Sequence, residues 1–430
     1  MTANLSPSGN RWHRDDTDVR PRTKHHPVVV LVVPSGSYRT TDFVEAARAL
    51  RIDLIVASDG DVPMSDLGRS RSVIIDLTRI EWSAARIARL KPPPDAVVAA
   101  DDSGVVIAAL ALSMLGVPAN PVSAVLSTRD KAQMRGLLAN AGVPQPEFRL
   151  AAQGRVAEEA STLGYPCVVK PRDLSASRGV IRVDTDTESH RAEARIRAIV
   201  EDACGDPDAR LLVESFVPGS EVAVEGMLVG GRLAVLALLD KPDPLDGPFF
   251  EETMFVTPSR HDHDLQDEMT SLTENAAVAL GLVTGPIHSE VRCGPDGVVL
   301  IEIAARSIGG LCGRALSFGL FGESLESVVL RSALGMPGPG LDKATAATGA
   351  LMLPIPEAGT LLSIGGIEEA LAVAGITGFN QTIPNGKQVV PLPEGDRYLG
   401  FLFAEGLTPE EVERALRAAQ AKLDVRIQER

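Results

Sequence analysis

The sequence predicts a protein of several domains, with α/β architecture in its N-terminal part and α+β architecture after it. The chain has 430 residues, about two to three times the size of a typical domain. Its 44% apolar and 23% charged residues are typical of a globular protein, and its longest apolar run is too short to span a bilayer. Near residue 125, alternating strands and helices give way to runs of strands joined by glycine turns. We therefore expect a soluble multidomain protein.

The first segments alternate between apolar, β-branched runs and amphipathic runs. "PVVVLVVPSG" is typical of a strand buried on both faces, and "TTDFVEAARALRI" of a helix that follows it. Further strands are predicted at "DLIVAS", "SVIIDL" and "DAVVAADD", and further helices at "EWSAARIARL" and "SGVVIAALALSMLG". This alternation predicts a parallel sheet covered by helices, a Rossmann-like domain over residues 28–125. It lacks the GxGxxG pattern of dinucleotide-binding domains.

A connecting helix and a small subdomain are predicted next. The helix lies within residues 126–150, because the polar residues of "STRDK" start it and Gly142 ends it. Residues 151–213 have the pattern of a small α+β subdomain. It contains a helix ending at Leu163, the strands "YPCVVK" and "VIRVD", and a long charged helix.

The last two regions are rich in antiparallel-strand patterns. Residues 214–336 contain "EVAVEGMLVGGRLAVLALL" and "GPIHSEVRCGPDGVVLIEIAAR", in which glycine turns separate apolar strands. Residues 337–430 are predicted to form a C-terminal α+β part packed on this central region. In its final helix, "LTPEEVERALRAAQAKL", Thr408 is the predicted N-cap, Pro409 the first helical residue and Glu411 the capping-box partner.

Charge and cysteine usage restrict the partners and the compartment. The net charge of −15 disfavours nucleic acid and membrane surfaces as partners, although a local basic pocket can still hold a small anion. The cysteines have no CxxC spacing, so we expect a cytoplasmic protein whose cysteines are reduced thiols in the core. These cysteines are Cys167, Cys204, Cys293 and Cys312. Residues 1–27 mix both charges with Pro, Ser and Thr, and they are predicted to be a disordered tail.

The stretch "GYPCVVKPRDLSASRGV" combines a strand lysine with a loop of small residues. Lys170 offers a positive charge at the end of the strand, and the loop offers backbone amides that can surround anionic oxygens. The functional interpretation is a mobile phosphate lid. The alternative is a surface hairpin whose lysine head reaches solvent. The usual P-loop pattern is absent from the sequence.

Two glutamates flank a predicted hairpin in "EVRCGPDGVVLIE". Glu290 and Glu302 lie at equal sequence distance from the turn around Asp296, so they are expected to face one another on one side of the ladder. Two opposed carboxylates repel unless they share divalent cations, for which hard oxygen ligands are suited. The alternative is that a bulge shifts the register and leaves both as solvated charges.

Two further motifs lie near this hairpin. Arg306 leads into the loop "SIGG", and its planar guanidinium is suited to a carboxylate or a developing oxyanion. Upstream, the strand "LLVES" bends at Pro218 and Gly219, where backbone groups could hydrogen-bond an adenine and Glu221 could accept from ribose hydroxyls. The alternative is an ordinary strand without a ligand.

The order of these motifs resembles that of the ATP-grasp superfamily over residues 120–335. The matching segments are "DKAQMRGLLANAGVPQP", "YPCVVKP", "SASRGV", "VESFVPGSEVAVEG", "HSEVR" and "IEIAAR". The resemblance implies an ATP-grasp fold with a small mobile lid subdomain over residues 151–213. It also implies that the Rossmann-like domain is a pre-ATP-grasp domain and that the C-terminal part is similar to that of biotin-carboxylase-like members.

The resemblance implies roles for the residues that match the motifs. Lys131 and Lys170 are expected to contact ATP phosphates, and Arg306 to stabilise a tetrahedral intermediate. Glu290 and Glu302 are expected to bind Mg²⁺, for which Mn²⁺ is an expected substitute. The nucleotide is expected to contact the lid loop Ser175, Ser177, Arg178 and Gly179, the adenine segment Glu214, Ser215, Phe216 and Val217, and the ribose ligand Glu221.

One departure from the superfamily pattern indicates which group within the superfamily this sequence resembles. Many members have Asn where this sequence has Ala304, so either the second metal site is poorer or its ligand comes from elsewhere. The string Glu-x-Ala-Ala-Arg resembles bacterial L-amino acid ligases, which make dipeptides, and "DGPFFEETMFVTPS" is similar to a segment of that group. The substrate residues that this implies are Glu251 or Glu252 for an ammonium group, with His288, Ser307, Gly309 and Gly310 nearby.

The histidines allow more than one interpretation. His288 either faces the substrate pocket or is a core histidine beside it. His261 and His263, in "SRHDHDLQ", are interpreted as surface residues at the start of a helix.

The resemblance implies an ATP-dependent carboxylate–amine ligase that joins amino acids, or a related small acid and amine, through an acylphosphate. Two alternatives stay open: a biotin-carboxylase-like enzyme that activates bicarbonate, and an ATP-binding module without ligase chemistry. The expected partners are small-molecule substrates. A homodimer is left open, because dimers are common in the related families.

Overall fold

The computed structural model describes residues 26–61, 70–206, 208–295, 297–319, 322–338 and 346–429. The predicted disordered tail, residues 1–27, lies outside this part of the chain except for its last two residues. Asp296, the predicted centre of the carboxylate hairpin, also lies outside it. None of the helices in the described ranges has the length and apolar character of a membrane-spanning segment.

A parallel sheet of four strands forms the N-terminal domain. Its elements are β1 (Val28–Val32), α1 (Thr40–Ala49), β2 (Asp53–Ser58), β3 (Arg71–Ile74), α2 (Ile80–Ala88), β4 (Ala96–Ala99) and α3 (Val105–Leu115). The strand order is β3-β2-β1-β4, and all five residues of β1 are buried, as its unbroken apolar run predicts. The loop after β4 carries Asp101 and Asp102 to the carboxyl edge of the sheet, where open α/β sheets bind ligands.

Two helices connect this sheet to the next one. α4 (Val122–Arg129) ends at Asp130, whose extended backbone breaks the helix, and α5 (Lys131–Asn140) begins directly after it. The Asp130 carboxylate caps α5 by accepting the N–H groups of Ala132 and Gln133. The residues of "STR", expected at the start of a helix, therefore end α4 instead, and Lys131 occupies the first turn of α5.

The small subdomain consists of an antiparallel sheet and two helices. Its elements are β5 (Phe148–Ala151), α6 (Val156–Leu163), β6 (Cys167–Lys170), β7 (Ile181–Val183), α7 (Asp186–Cys204) and β8 (Leu211–Ser215). The strand order is β5-β8-β6-β7. Cys167 and Val169 of β6 pack into the subdomain core, and Lys170 is the last residue of that strand.

An eight-stranded antiparallel sheet is the largest layer of the molecule. The central region supplies β9 (Ser220–Val229), β10 (Arg232–Lys241), β11 (Met254–Thr257), α8 (His263–Leu280), β12 (Thr284–Gly294), β13 (Gly297–Ala304), β14 (Ser317–Phe318), β15 (Glu323–Ser324) and α9 (Leu325–Ala333). The C-terminal part supplies β16 (Ala347–Leu353), β17 (Gly359–Gly365), α10 (Ile367–Leu371), β18 (Ile376–Gln381), β19 (Gln388–Val389), β20 (Gly400–Gly406), α11 (Pro409–Gln420) and β21 (Asp424–Gln428). The large sheet has the order β13-β12-β9-β10-β11-β16-β20-β18, so C-terminal strands extend the central sheet.

The C-terminal part also has a sheet and a helix of its own. The small sheet has the order β19-β17-β21. α11 begins as the sequence predicts: the Thr408 hydroxyl accepts the N–H of Glu411 at 3.3 Å, and Pro409 is the first helical residue. Its apolar face, which includes Val412 and Leu416, packs on β16 and β20.

The four cysteines are free thiols in different surroundings. Cys167 and Cys312 are buried and Cys293 is half-buried, but Cys204 is exposed. The expectation of a core thiol is therefore wrong for Cys204, because this residue is the last one of α7, where Gly205 ends the helix at the surface.

Candidate active site

One cavity brings together most of the residues that the sequence predicts for a site. It has a volume of about 300 Å³ and lies between the N-terminal domain, the small subdomain and the central sheet. The predicted residues in its wall are Lys131, Lys170, Ser175, Ser177, Glu214, Ser215, Phe216, Val217, Glu221, Glu252, His288, Glu290, Glu302, Arg306, Gly309 and Gly310. Four predicted residues are not part of this wall: Arg178, Gly179, Glu251 and Ser307.

Two buried lysines lie at one side of the cavity. Nζ of Lys170 is 2.7 Å from Oε2 of Glu214, whose other oxygen accepts Nε of Arg135 at 2.6 Å. Nζ of Lys131 donates to the carbonyl of Leu174 at 2.7 Å and lies 3.1 Å from Oε1 of Glu302. Both ammonium groups are therefore held in place by the protein. This arrangement fits two cations that receive an anionic ligand.

The charges beside Glu214 keep its carboxyl ionised. Burial alone would raise the pKa of Glu214, but the charges of Arg135 and Lys170 outweigh it and lower that pKa to about 2. Burial lowers the pKa of Lys170, and the charge of Glu214 opposes that shift. Because its carboxylate is occupied by these two cations, Glu214 can meet an adenine only through its backbone.

The loop of small residues bends back over the cavity. Ala176 and Ser177 both adopt left-handed backbone conformations, with φ of 55° and 54°. For residues other than glycine this costs about 1–2 kcal/mol each, so the contacts around the loop must stabilise it. Ser175 accepts Nη1 of Arg129 at 3.2 Å. Ser175 and Ser177 thus lie in the cavity wall, near both lysines.

The rest of this loop contacts the C-terminal part of the chain. The N–H of Gly179 donates to the carbonyl of Pro393 at 2.9 Å, and Nε of Arg178 donates to the carbonyl of Glu394 at 2.8 Å. These two residues were expected to contact a nucleotide, but the structure turns them toward the segment around residue 394. No local sequence pattern predicts this contact, because its partners lie more than 200 positions apart.

The two glutamates of the predicted hairpin lie opposite one another. β12 and β13 pair Glu290 with Glu302 and Val291 with Leu300, so Ile301 is the extra residue of a bulge. The alternative interpretation of the sequence was that a bulge would separate the two glutamates. In the structure, the bulge is what brings Glu290 opposite Glu302. Without it, Glu290 would lie opposite Ile301, and Glu302 would point to the other face of the sheet.

A third lysine lies among the carboxylates near Glu290. Lys241 is the last residue of β10, and its Nζ lies 2.6 Å from Oε1 of Glu221 and 2.9 Å from Oε1 of Glu290, and it also contacts Glu252. Burial would lower the pKa of Lys241, but the three carboxylates outweigh it and raise that pKa well above its usual value. Sequence reasoning missed Lys241, although it ends an apolar strand just as Lys170 does.

The carboxyl groups beside Lys241 have different pKa values. Burial and the charge of Glu290 raise the pKa of Glu252, and the charge of Lys241 lowers it. The net result is a pKa of about 7. For Glu290, burial would raise the pKa, but the charges of Lys241 and His288 lower it well below its usual value. Glu290 is therefore the ionised member of this pair at neutral pH.

His288 lies in the cavity wall beside Glu290. Its Nδ1 is 3.1 Å from Oε2 of Glu225, and its Nε2 is 3.7 Å from Oε1 of Glu290. Burial would lower the pKa of His288, but the hydrogen bond to Glu225 and the nearby carboxylate of Glu290 raise it to about 9. His288 is thus a buried imidazolium at the edge of the site, which combines both interpretations given for it.

Arg306 is held by an aspartate of the N-terminal domain. Nη2 of Arg306 donates to Oδ2 of Asp102 at 2.9 Å, and Arg129 lies 3.4 Å from the other oxygen of Asp102. Burial would raise the pKa of Asp102, but these arginines outweigh it and lower that pKa far below its usual range. No sequence motif identifies Asp102, because only the packing of the N-terminal domain brings it to Arg306.

Two regions of the chain match models of known protein families. Residues 163–315 match the ATP-grasp domain, and residues 351–428 match the L-amino acid ligase C-terminal domain 2. The chain therefore contains an ATP-grasp domain. The match covers the lid loop, the carboxylate hairpin and Arg306, whereas the motif that contains Lys131 lies before the matched residues.

Solved structures and curated relatives agree with this assignment. The fold matches an L-amino acid ligase from Bacillus licheniformis with a TM-score of 0.82 and 24% identity, over 94% of this chain and 100% of that one. It also matches an N5-carboxyaminoimidazole ribonucleotide synthetase from Thermotoga maritima with a TM-score of 0.68 and 17% identity, over 94% and 100% of the two chains. Uncharacterized protein y4rH of Sinorhizobium fredii is 24% identical over 405 residues, which are 92% of this chain and 82% of that protein.

Two relatives are named synthases. Carnosine synthase 1 of Gallus gallus is 30% identical over 259 residues, which are 57% of this chain and 28% of that protein. Dapdiamide A synthase of Enterobacter agglomerans is 29% identical over 186 residues, which are 42% of this chain and 43% of that protein. The chain thus spans less than half of the length of either synthase.

The wall of the ATP-grasp cavity also contains an arginine to which the sequence motifs assigned no role. Arg292 is buried, its Nε donates to Oε2 of Glu221 at 2.8 Å, and its Nη1 donates to the carbonyl of Val217 at 2.7 Å. Its guanidinium packs over the rings of Phe216 and Phe250, at 5.3 and 5.8 Å from their centroids. Arg292 therefore fixes the segment that is expected to hold adenine and the carboxylate expected at the ribose.

The N- and C-terminal parts of the chain also contribute residues to the cavity wall. Tyr38, Met352 and Tyr398 lie in its wall, together with Cys312 of the central region. Burial raises the pKa of Tyr38 to about 12, so its hydroxyl keeps its proton at neutral pH.

The remaining predicted residues lie around the cavity. Ser307 is buried and its hydroxyl accepts Nη2 of Arg39 at 3.0 Å, and burial raises the pKa of Glu251. His261 lies 3.3 Å from the hydroxyl of Ser220, and His263 is the first residue of α8. Neither histidine is part of the cavity wall, which agrees with their interpretation as residues outside the site.

The carboxylates of the cavity fit a divalent cation by the chemistry of their donors. ATP-grasp enzymes use ATP and a divalent metal. Glu221, Glu252 and Glu290 each offer an oxygen, and these oxygens lie within 4.8 Å of one another. Glu302 lies opposite Glu290, outside this cluster. Oxygen donors at such spacing suit a hard cation beside phosphate groups, with Lys241 sharing part of the same carboxylate charge.

Proposed function

We propose that this ATP-grasp protein is an ATP-dependent carboxylate–amine ligase that joins amino acids, or a related small acid and amine, by an amide bond. The observation that carries the proposal is the meeting of Lys131 and Lys170, the pair Glu290 and Glu302, and Arg306 in one cavity. The similarity to an L-amino acid ligase and the match to its C-terminal domain support it.

In the first step, a carboxylate oxygen of the acid attacks the γ-phosphorus of ATP, and the bond from that phosphorus to ADP breaks. The products are an acylphosphate and ADP. Such a transfer depends mainly on positioning and charge neutralisation. Lys170 and Lys131, fixed by Glu214 and Glu302, are placed to bind phosphate oxygens. The lid loop adds backbone amides and hydroxyls on the same side.

In the second step, the amine attacks the acyl carbon, and the nitrogen releases a proton. The bond from that carbon to the phosphate oxygen breaks, and phosphate leaves with the electron pair. Arg306 is placed to stabilise the oxyanion of the tetrahedral intermediate. Its ion pair with Asp102 holds the guanidinium in one orientation before the substrates arrive.

The metal that we propose is Mg²⁺, with Mn²⁺ as a substitute. Glu290 and Glu302 would hold it, since they lie opposite each other across the hairpin. When bound, the cation would offset negative charge on the transferring phosphate. Ala304 offers no further ligand on this strand, so other ligands would come from ATP or from the carboxylates near Lys241.

The lid contacts support protection of the acylphosphate from water. The loop is bound on one side by Arg129 and on the other by the segment at Pro393. Excluding water at this step prevents wasteful hydrolysis of the intermediate.

We further propose that the enzyme acts on small molecules in the cytoplasm, where reduced thiols persist. A homodimer is part of this proposal.

The experiment that tests the proposal is ADP release by the purified chain with ATP and Mg²⁺, against single and paired amino acids. Separate wells contain bicarbonate with biotin. We expect release that requires both an acid and an amine, with a condensed product detected by mass. Release only in the wells that contain bicarbonate would favour the biotin-carboxylase-like alternative. ATP binding without substrate-dependent release would favour a binding module.

A further inference from the structure

A buried carboxylate behind the cavity wall contacts two parts of the site. Glu225 lies on β9 and is 0% exposed. Both of its oxygens lie 3.0 Å from the backbone N–H of Ile308, and Oε2 is also 3.1 Å from Nδ1 of His288. In the described part of the chain, His288 is its ion-pair partner within 4.0 Å. Glu225 is not part of the cavity wall, but both of its partners, His288 and Ile308, are.

The first partner leads to the proposed metal ligand. His288 and Glu290 are two residues apart on β12, so their side chains lie on the same face of the sheet. With Nδ1 held by Glu225, the imidazole ring has a fixed orientation, and its Nε2 lies 3.7 Å from Oε1 of Glu290. A carboxylate that orients a histidine in this way restricts the group on the other side of the ring.

The second partner leads to the arginine. Ile308 follows Arg306 by two residues and directly precedes the cavity residues Gly309 and Gly310. The bond from its N–H to Glu225 fixes the backbone of this loop. Nη1 of Arg306 donates to the carbonyl of Ser307 at 3.0 Å, so the guanidinium rests in part on the same loop.

We propose that Glu225 is a positioning residue of the ligase, which holds the carboxylate of Glu290 and the loop of Arg306 at a fixed distance from each other. This inference rests on the proposed function, because it concerns the two groups that act on the transferring phosphate and on the oxyanion. A buried carboxylate is expensive to desolvate, and a neutral side chain could satisfy one backbone N–H at lower cost. Its use here is explained by charge-assisted bonds to two elements at once.

The test uses two variants and a matched control. Glu225→Gln keeps the shape of the side chain and an acceptor for Ile308, but it removes the charge. His288→Gln interrupts the connection to Glu290 and leaves the bond to Ile308. The control is Glu274→Gln, because Glu274 also accepts a backbone N–H, that of Leu233 at 2.9 Å, and lies outside the cavity wall.

Two readouts separate positioning from folding. The first is steady-state kinetics, in which we expect Glu225→Gln to lower kcat about tenfold or more while KM for ATP changes less than about threefold. The second is Mn²⁺ binding by electron paramagnetic resonance with a non-hydrolysable ATP analogue, which we expect to weaken about tenfold or more in both variants. Thermal melting verifies that each variant folds.

The double variant tests the coupling. If both residues act through one contact, Glu225→Gln with His288→Gln should weaken Mn²⁺ binding no more than the larger single effect. A folded Glu225→Gln with wild-type kcat and wild-type Mn²⁺ affinity would overturn the proposal, and so would equal losses in Glu274→Gln. If Glu225→Gln does not fold, unchanged Mn²⁺ affinity in His288→Gln overturns it. If the wild type shows no ligase turnover, the proposed function fails, and Mn²⁺ binding alone decides the role of Glu225.

Discussion

At the scale of single residues, the site is a set of buried charges that neutralise one another. Lys170 pairs with Glu214, Lys131 with Glu302, and Arg306 with Asp102. Each buried ion loses its hydration, and the attraction of its partner offsets that free-energy cost only while both members of the pair are present. Removing one member therefore leaves an uncompensated charge near the cavity. Single replacements here should affect both stability and chemistry.

Glu302 gives a direct test of the carboxylate pair. Glu302→Gln keeps the size of the side chain and removes one charge opposite Glu290. We expect kcat for amino-acid-dependent ADP release to fall about a hundredfold or more, because this pair would hold the cation that offsets negative charge on the transferring phosphate. The control is Glu268→Gln, since Glu268 accepts the N–H of Val298 on the same hairpin. Normal turnover in a folded Glu302→Gln would remove Glu302 from the proposed metal site.

Glu214 predicts a pH dependence of stability. Its folded pKa of about 2 is below the ordinary value of 4.5, so ionisation of this carboxyl favours the folded state. The contribution is fully present above pH 4.5 and is lost as the pH falls toward 2. It corresponds to about 3 kcal/mol of unfolding free energy.

Denaturant unfolding between pH 7 and pH 2 measures this contribution. Glu214→Gln should be less stable than the wild type at pH 7, because Arg135 and Lys170 lose their partner. Between pH 4.5 and 2, the variant should lose less stability than the wild type. Parallel pH profiles in this range would contradict the assignment of the ionised carboxylate to Glu214.

At the scale of elements, the lid loop depends on the C-terminal part of the chain. The loop already contacts the backbone carbonyls of Pro393 and Glu394 through Gly179 and Arg178. In addition, Arg195 of α7 donates two hydrogen bonds to the carboxylate of Glu394, at 2.5 and 2.9 Å. The segment around Glu394 thus contacts both the loop and a helix of the small subdomain. Closure of the lid over a nucleotide should therefore respond to this segment.

Arg195→Ala tests the connection between the lid and the C-terminal part. Both side chains of the ion pair are more than one-third exposed, with 44% and 38% accessible, so global stability should change by less than about 1 kcal/mol. Hydrogen exchange of the loop should rise, and ATP hydrolysis uncoupled from amide formation should increase a few-fold. The control is Arg149→Ala, which removes an exposed ion pair to Glu159 inside the small subdomain. Equal exchange rates of the loop in both variants would contradict the role of Glu394.

At the scale of the whole molecule, every part of the chain contributes to one cavity. Tyr38 and Asp102 come from the N-terminal domain, Ser175 from the small subdomain, Glu290 from the central sheet and Tyr398 from the C-terminal part. Local patterns were enough to predict the parallel N-terminal sheet, the strand that ends at Lys170 and the helix that Thr408 caps. These features depend on neighbouring residues, which a sequence displays directly.

The residues that the sequence did not predict depend on distant packing. Asp102 and Arg306 are 204 positions apart, and Arg178 and Glu394 are 216 apart. Lys241 looks like an ordinary strand end until β9, β12 and the segment before β11 place Glu221, Glu290 and Glu252 around it. The bulge at Ile301 shows the same limit, because the sequence allowed two registers and only the folded hairpin selects one.

The measurement that tests the central claim most directly is the fate of carboxylate oxygen during turnover. The acid substrate is labelled with ¹⁸O in its carboxyl group, and the released phosphate is analysed by mass spectrometry. An acylphosphate intermediate predicts that one labelled oxygen passes to each phosphate as the amide forms. Unlabelled phosphate, released at the same rate as the amide product, would contradict the proposed ligase mechanism.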